Sequence, residues 1–230
     1  MKVGFFSAKQ YDINHFDRVN QTFGLQIEYF DYRLCLRTAR LAHGFEAICV
    51  FVNDSLCEEV LIELSKNGTK VIAMRCSGFN NVDLEVAKKL NLKVVNVPSY
   101  SPESVAEHTV ALMLTLNRKV HKAYQRTRDA NFSLKGLVGF NMQNRNVGII
   151  GTGKIGLATI KILLGFGCHV FAHDPYPNHA VLDLGVKYVP LEKIFAACDI
   201  ISLHCPLTSE NHHLLNKESF SRMKPGVMVI

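Results

Sequence analysis

NVGIIGTGKIG, residues 146–156, and HVFAHDP, residues 169–175, decide the reading of this chain. Val147 to Ile150 form an apolar run that enters Gly151, Gly153 and Gly156, the G-x-G-x-x-G spacing of a strand-to-helix turn. The first glycine lets the chain turn tightly. The second lets the backbone approach a pyrophosphate, and the third lets the helix lie close to the sheet. The helix that follows, expected over Lys154 to Leu164, would offer its unpaired N–H groups to an anion. A second strand, Cys168 to His173, ends at Asp174, whose carboxylate can accept ribose hydroxyls and repels a 2′-phosphate. The residues therefore point to NAD in preference to NADP. Two plainer readings stand beside this one: the glycines as a structural turn, and Asp174 as the start of a turn completed by Pro175 and Pro177.

Outward from this motif, the same rhythm repeats in both directions. Before it, KVGFFS at 2–7, LQIEYF at 25–30, AICVFV at 47–52, KVIAMR at 70–75 and KVVNVP at 93–98 read as strands, and VLIELSKNG at 60–68 as a helix with a glycine stop. Pro98 and Pro102 punctuate the chain. Ser101 then caps a single long helix through SPESVAEHTVALMLTLNRKVHKAYQRT, with Pro102 as its first residue. Irregular chain is expected over 131–146. After Asp174 come strands at 186–189, 199–205 and 227–230 and helices at 191–198 and 217–222. Strands alternating with helices predict parallel sheets covered on both faces. The class is α/β, with a first domain over 1–100 and a second, nucleotide-binding one with its linking helix over 101–230. A chain seldom ends on an apolar sheet run such as VMVI, because termini usually lie at the surface; more polypeptide is expected beyond Ile230.

Composition excludes several classes. Hydrophobic content of 48% and charged content of 20% belong to a folded globular protein. No apolar run approaches the roughly 20 residues of a membrane span, and the N-terminus has no secretory pattern, so cytoplasmic residence is expected and no membrane partner. The seven cysteines are unclustered; they read as free thiols in apolar runs, with a reactive role for Cys76 or Cys205 a minor alternative. His204, Cys205, His212 and His213 lack metal-ligand spacing, so no metal is expected. The net charge of +6 includes Arg118, Lys119, Lys122, Arg126 and Arg128, which read as the wet side of a helix, and no nucleic-acid partner is implied.

RCSGFNNVD at 75–83, VPSYSPESVAEHTVALMLTLNR at 97–118, YQRTRDANFSLKGL at 124–137, GTGKIG at 151–156, FAHDPYP at 171–177 and SLHCPLT at 202–208 carry a resemblance across the whole chain. The chain resembles the D-isomer-specific 2-hydroxyacid dehydrogenases. The resemblance implies a flavodoxin-like substrate domain, a Rossmann coenzyme domain, and reversible hydride transfer between NADH and a 2-keto acid, pyruvate in the members most alike. It assigns Cys76, Ser77, Gly78 and Phe79 to a loop whose backbone N–H groups meet the substrate carboxylate, and Tyr100 to the substrate site. Without it, RCSGFN reads as an ordinary turn and Tyr100 as a packed aromatic. On the coenzyme side it adds Thr152, Lys154 and Ile155 at the pyrophosphate and Tyr176 near Asp174. His204, Cys205 and Pro206 fall on a turn passing the adenosine, with Thr208 and Asn211 as polar neighbours and Val105 near the nicotinamide. A homodimer built through the coenzyme domain is also implied.

No catalytic residue is assigned within 1–230. The family's arginine, glutamate and histidine would lie beyond Ile230, and His108, His121, His169 and His204 match none of those positions. Two alternatives remain: a related dehydrogenase acting on hydroxypyruvate, glyoxylate or a bulkier keto acid, and a non-catalytic NAD-sensing module.

Overall fold

The computed structural model describes all 230 residues, which divide into two compact units, Met1–Tyr100 and Ser101–Ile230. Each is a five-stranded, wholly parallel sheet with helices on its faces.

In the first unit the strands are β1 (Lys2–Phe5), β2 (Gln26–Tyr29), β3 (Ala47–Val50), β4 (Val71–Met74) and β5 (Lys93–Val95), in the spatial order β2-β1-β3-β4-β5. This is the flavodoxin-like order. The helices are α1 (Gln10–Phe23), α2 (Glu58–Lys66) and α3 (Leu84–Lys89). All four residues of β3 are buried, because α2 and α3 cover one face of the sheet while Val3, Phe5, Ala8, Ala47 and Cys49 make a smaller core on the other.

In the second unit, α4 (Pro102–Arg118) and α5 (Val120–Arg128) precede β6 (Asn146–Ile150), α6 (Lys154–Gly165), β7 (His169–His173), α7 (His179–Leu182), β8 (Lys187–Tyr188), α8 (Leu191–Ala197), β9 (Ile200–Leu203), α9 (Lys217–Ser221) and β10 (Met228–Val229). The order β10-β9-β6-β7-β8 is that of a Rossmann sheet, which reverses direction between β6 and β9. Helix α6 buries Gly156, Thr159, Ile160 and Leu163, and α4 buries Ala106, Val110 and Met113, the stripe spacing of core-facing helices. Ser101 caps α4 by accepting the N–H of Ser104, with Pro102 in the first turn.

The single helix expected from Ser101 onward is two helices. Lys119 stands in the left-handed region at φ 53° and separates α4 from α5. Buried Asn117 forces this ending: its Nδ2 donates to the Phe140 carbonyl and its Oδ1 accepts the Phe140 N–H, both at 2.8 Å. The returning chain at 138–140 thereby caps α4 from the side, and Lys119 Nζ donates to the Val138 carbonyl at 2.6 Å. Helices α1, α3 and α7 were not expected either. Helix α1 has no buried residue, and α3 and α7 have one each.

Candidate functional site: two anion-facing turns at sheet edges

The three glycines of β6–α6 are held for different reasons. Gly151 has φ +95°, and a Cβ there would stand 2.5 Å from the Cys205 nitrogen and 2.6 Å from the His204 carbonyl carbon. The end of β9 therefore closes directly onto the turn. At Gly156 a Cβ would stand 2.1 Å from the Gly151 carbonyl oxygen. Gly153 differs: its φ is −63° and nothing lies within 4 Å of its missing Cβ. Nothing in this chain demands glycine there. A Cβ would fill open space in front of the first turn of α6, whose N–H groups are offered no side-chain acceptor by the cap residue. An open cradle facing unpaired helix N–H groups at the sheet's switch point fits a dinucleotide pyrophosphate. Lys154 is exposed and Ile155 half-buried beside it.

Asp174, at the end of β7, is tied to the same turn. Its Oδ2 accepts the Thr152 N–H at 2.7 Å and the Thr152 hydroxyl at 3.0 Å, and its Oδ1 accepts the Tyr176 N–H at 2.9 Å. Burial works against its charge, but these donors and the neighbouring His173 outweigh it and hold the carboxyl below its usual range. Asp174 is thus ionised at neutral pH, as selection against a 2′-phosphate requires. The turn-forming role is real as well, since the Tyr176 bond is an Asx turn.

Behind Asp174 lies a network that the sequence did not reveal. The Tyr188 hydroxyl donates to Thr152 Oγ1 at 2.9 Å and accepts the Asn178 N–H at 2.8 Å, while Asn178 Nδ2 donates to the Thr152 carbonyl at 2.9 Å. Thr152 itself is 1% exposed. These partners come from β8 and the cap of α7. Only the Pro-Asn step before α7, an N-cap signal, hinted at any of them.

On the β9 side, the His204 N–H donates to the Ile150 carbonyl at 2.7 Å, and its ring Nε2 lies 3.0 Å from Ser202 Oγ. Burial pushes the imidazole down to about 4, so it is neutral at pH 7. Burial also raises the thiols of Cys205 and Cys76, which argues against a reactive thiolate at either. Exposed Pro206 and Thr208 and half-buried Asn211 form one turn. Asn211 Nδ2 donates to the Pro206 carbonyl, the Thr208 N–H donates to Asn211 Oδ1, and the Asn211 N–H reaches Thr208 Oγ1. Val105 is half-buried in the first turn of α4, and Tyr176 is 86% exposed.

In the first unit, the chain leaving β4 forms the loop Cys76 to Phe79, with Cys76 buried and Gly78 and Phe79 exposed. It is pinned through side chains and carbonyls: Asn96 Nδ2 donates to the Ser77 carbonyl at 2.8 Å, and Cys76 Sγ to the Gly78 carbonyl at 3.2 Å. The N–H groups of Ser77, Gly78 and Phe79 meet no acceptor of the chain. Such a run of free amides on a fixed backbone is an anion nest. Its two ends are anchored by residues given no role at the sequence level. The Arg75 guanidinium lies 4.1 Å from the Phe5 ring centre and donates to the carbonyls of Phe6 at 2.9 Å and Ser7 at 3.2 Å. Asn81 Nδ2 donates to the carbonyls of Phe51 and Asp54. Asp54, 1% exposed, accepts the Ser7 hydroxyl and the N–H groups of Leu34 and Phe51. Tyr100, 55% exposed, ends the unit.

Comparison with known proteins shows the family of the chain. Residues 110–230 match the family model described as D-isomer specific 2-hydroxyacid dehydrogenase, NAD binding domain. A D-lactate dehydrogenase of Escherichia coli (strain K12) is 57% identical over 230 residues, all of this chain and 70% of that protein. The solved apo-structure of D-lactate dehydrogenase from Escherichia coli superposes with a TM-score of 0.92 at 58% identity, covering 100% of this chain and 72% of that one. A D-lactate dehydrogenase from Aquifex aeolicus, solved in complex with NAD and lactic acid, gives a TM-score of 0.85 at 35% identity, covering 99% and 67%.

Proposed function

The chain belongs to the D-isomer-specific 2-hydroxyacid dehydrogenases, and from that membership we propose that it is an NAD-dependent D-lactate dehydrogenase, reducing pyruvate to D-lactate with NADH and running the reverse reaction. The observation that carries the coenzyme half is the open cradle at Gly153 beside an ionised Asp174. Bound NADH supplies the hydride. The residues described here bind and orient: the first turn of α6 takes the pyrophosphate on its N–H groups, and Asp174 accepts from the adenosine ribose. The turn from His204 to Asn211 follows β9 at the same sheet edge and carries a neutral imidazole.

The free amides of Ser77, Gly78 and Phe79 bind the substrate carboxylate in this reading, with Tyr100 beside the substrate. Backbone donors suit a carboxylate because they are fixed before the anion arrives, and each charge-assisted hydrogen bond contributes about 1.5–3 kcal/mol. No group of residues 1–230 is given the proton-donor role. The protein is further read as cytoplasmic and as a homodimer joined through its coenzyme domain. No helix is long and apolar enough to cross a membrane.

The deciding assay follows NADH oxidation with pyruvate, hydroxypyruvate, glyoxylate and a branched 2-keto acid, and resolves the enantiomer formed. Pyruvate is expected to have the highest kcat/KM and to give D-lactate. A higher kcat/KM for one of the other acids would move the assignment to that substrate. NADH binding without turnover of any of the four would make the protein a coenzyme-binding module.

A further inference from the structure

Asp174 does not stand alone as a coenzyme-selecting carboxylate, because its geometry is handed down through a chain of hydroxyls. Ionised, it can only accept, so the Thr152 hydroxyl must donate to it across the 3.0 Å contact. Thr152 Oγ1 then has lone pairs to offer, and the Tyr188 hydroxyl donates into one at 2.9 Å. Tyr188 accepts in turn from the Asn178 N–H at 2.8 Å. Every proton in this relay has one allowed direction. Of the roughly four acceptor sites on a carboxylate, Thr152 fills two on Oδ2 and the Tyr176 N–H fills one on Oδ1. The unfilled site therefore lies on Oδ1, and a ribose hydroxyl that binds without breaking the network must take it.

We propose that Tyr188 is a positioning residue for coenzyme choice, holding Asp174 through Thr152 in the one orientation that offers Oδ1 to the ribose. The inference rests on the reading of the glycine turn as an NAD site. Tyr188 stands on β8, away from the glycine motif in sequence, and its ring is half-buried against the core of the second unit. A phenylalanine keeps that packing and removes only the hydroxyl. Without the hydroxyl, Thr152 Oγ1 loses the donor behind it; the backbone N–H groups of Thr152 and Tyr176 still hold Asp174, but the Thr152 hydroxyl bond to Oδ2 is no longer oriented from the far side. The cost falls on the coenzyme that uses the carboxylate as an acceptor. NADPH, whose 2′-phosphate is repelled whichever oxygen points outward, is hardly affected.

The test is equilibrium titration of NADH and NADPH against the wild-type protein, Tyr188→Phe, Asp174→Asn and the double variant, with folding checked by circular dichroism. Loss of the hydroxyl, with its bond to Thr152 and its bond from Asn178, is expected to raise the NADH Kd of Tyr188→Phe about fivefold to tenfold. The NADPH Kd should stay within about twofold, which narrows the preference. In the Asp174→Asn background the same substitution should change NADH binding little, because its effect passes through the carboxylate. Thr152→Ala, which removes the other hydroxyl of the relay, is expected to reproduce the narrowing, and Thr152→Ser to reverse it. Equal weakening of both coenzymes, or an undiminished effect of Tyr188→Phe in the Asp174→Asn background, would show that the hydroxyl only supports the fold, and the proposal would fall. A wild-type protein that binds NADPH as tightly as NADH would overturn the coenzyme reading itself.

Discussion

At the scale of single residues, Gly153 and Gly156 separate what the fold needs from what a ligand needs, although three positions apart they look alike in the motif. Adding a Cβ at Gly156 puts it 2.1 Å from the Gly151 carbonyl, a backbone atom that cannot yield without moving the turn. Overpacking of that kind costs about 1–3 kcal/mol or more. At Gly153 the backbone is extended with negative φ and the added methyl meets nothing, so stability should change by less than about 0.5 kcal/mol. Gly156→Ala is therefore expected to lower the urea midpoint. Gly153→Ala should leave the midpoint in place and weaken NADH binding by about tenfold or more, since the methyl occupies the space through which the pyrophosphate reaches the helix. If Gly153→Ala binds NADH as the wild-type protein does, the cradle is not the phosphate site.

Among the elements, the join between α4 and α5 shows where local sequence stops deciding structure. The apolar spacing of 102–118 continues without interruption into a segment rich in good helix formers, and Lys119 carries no turn signal. What ends α4 is a pair of hydrogen bonds between Asn117 and Phe140, a contact across more than twenty positions of chain. Replacing Asn117, 3% exposed, with alanine removes both bonds and leaves the Phe140 amide groups poorly satisfied. A loss of about 2–3 kcal/mol in chemical denaturation is expected. A loss below about 0.5 kcal/mol would mean that the left-handed residue, and not the asparagine, sets the break. The strands were legible for the opposite reason: the central ones, β1, β3, β6 and β9, are buried almost throughout and read as apolar runs, and only end residues of the expected strands fall outside the ladders. Helix α1 was not, because none of its residues is buried and its few apolar side chains stand among a majority of polar ones. The glycines and Asp174 could be read from spacing because the ligand's own dimensions impose it. Tyr188, Asn178, Arg75 and Asn81 could not, since each acts through a partner on another element and no spacing along the chain records that contact.

On the scale of the whole molecule, each unit places its candidate anion site at the carboxyl edge of its own parallel sheet, after β4 in one and after β6 in the other, where open α/β sheets bind ligands. Each also closes its own hydrophobic core. The clusters around Phe6, Ile48 and Leu61 and around Phe5 and Ala47 draw only on the first unit, and those around Ile149 and Ile160 and around Ile194 and Ile201 only on the second. A ligand stabilises the cooperative unit that it binds, by RT ln(1 + [L]/Kd), or about 2.7 kcal/mol at a hundredfold excess over Kd. Amide hydrogen exchange followed by mass spectrometry with and without NADH should therefore show a graded response. Peptides from β6, α6, β7 and β9 are expected to exchange up to about 100-fold more slowly with coenzyme, and those from β1 to β5 to change far less. Slowing of equal size in both units would mean that the two cores open together and that the coenzyme stabilises the chain as one cooperative body. Slowing confined to the first unit would place the coenzyme on the wrong sheet and remove the basis for assigning Gly153 and Asp174 to it.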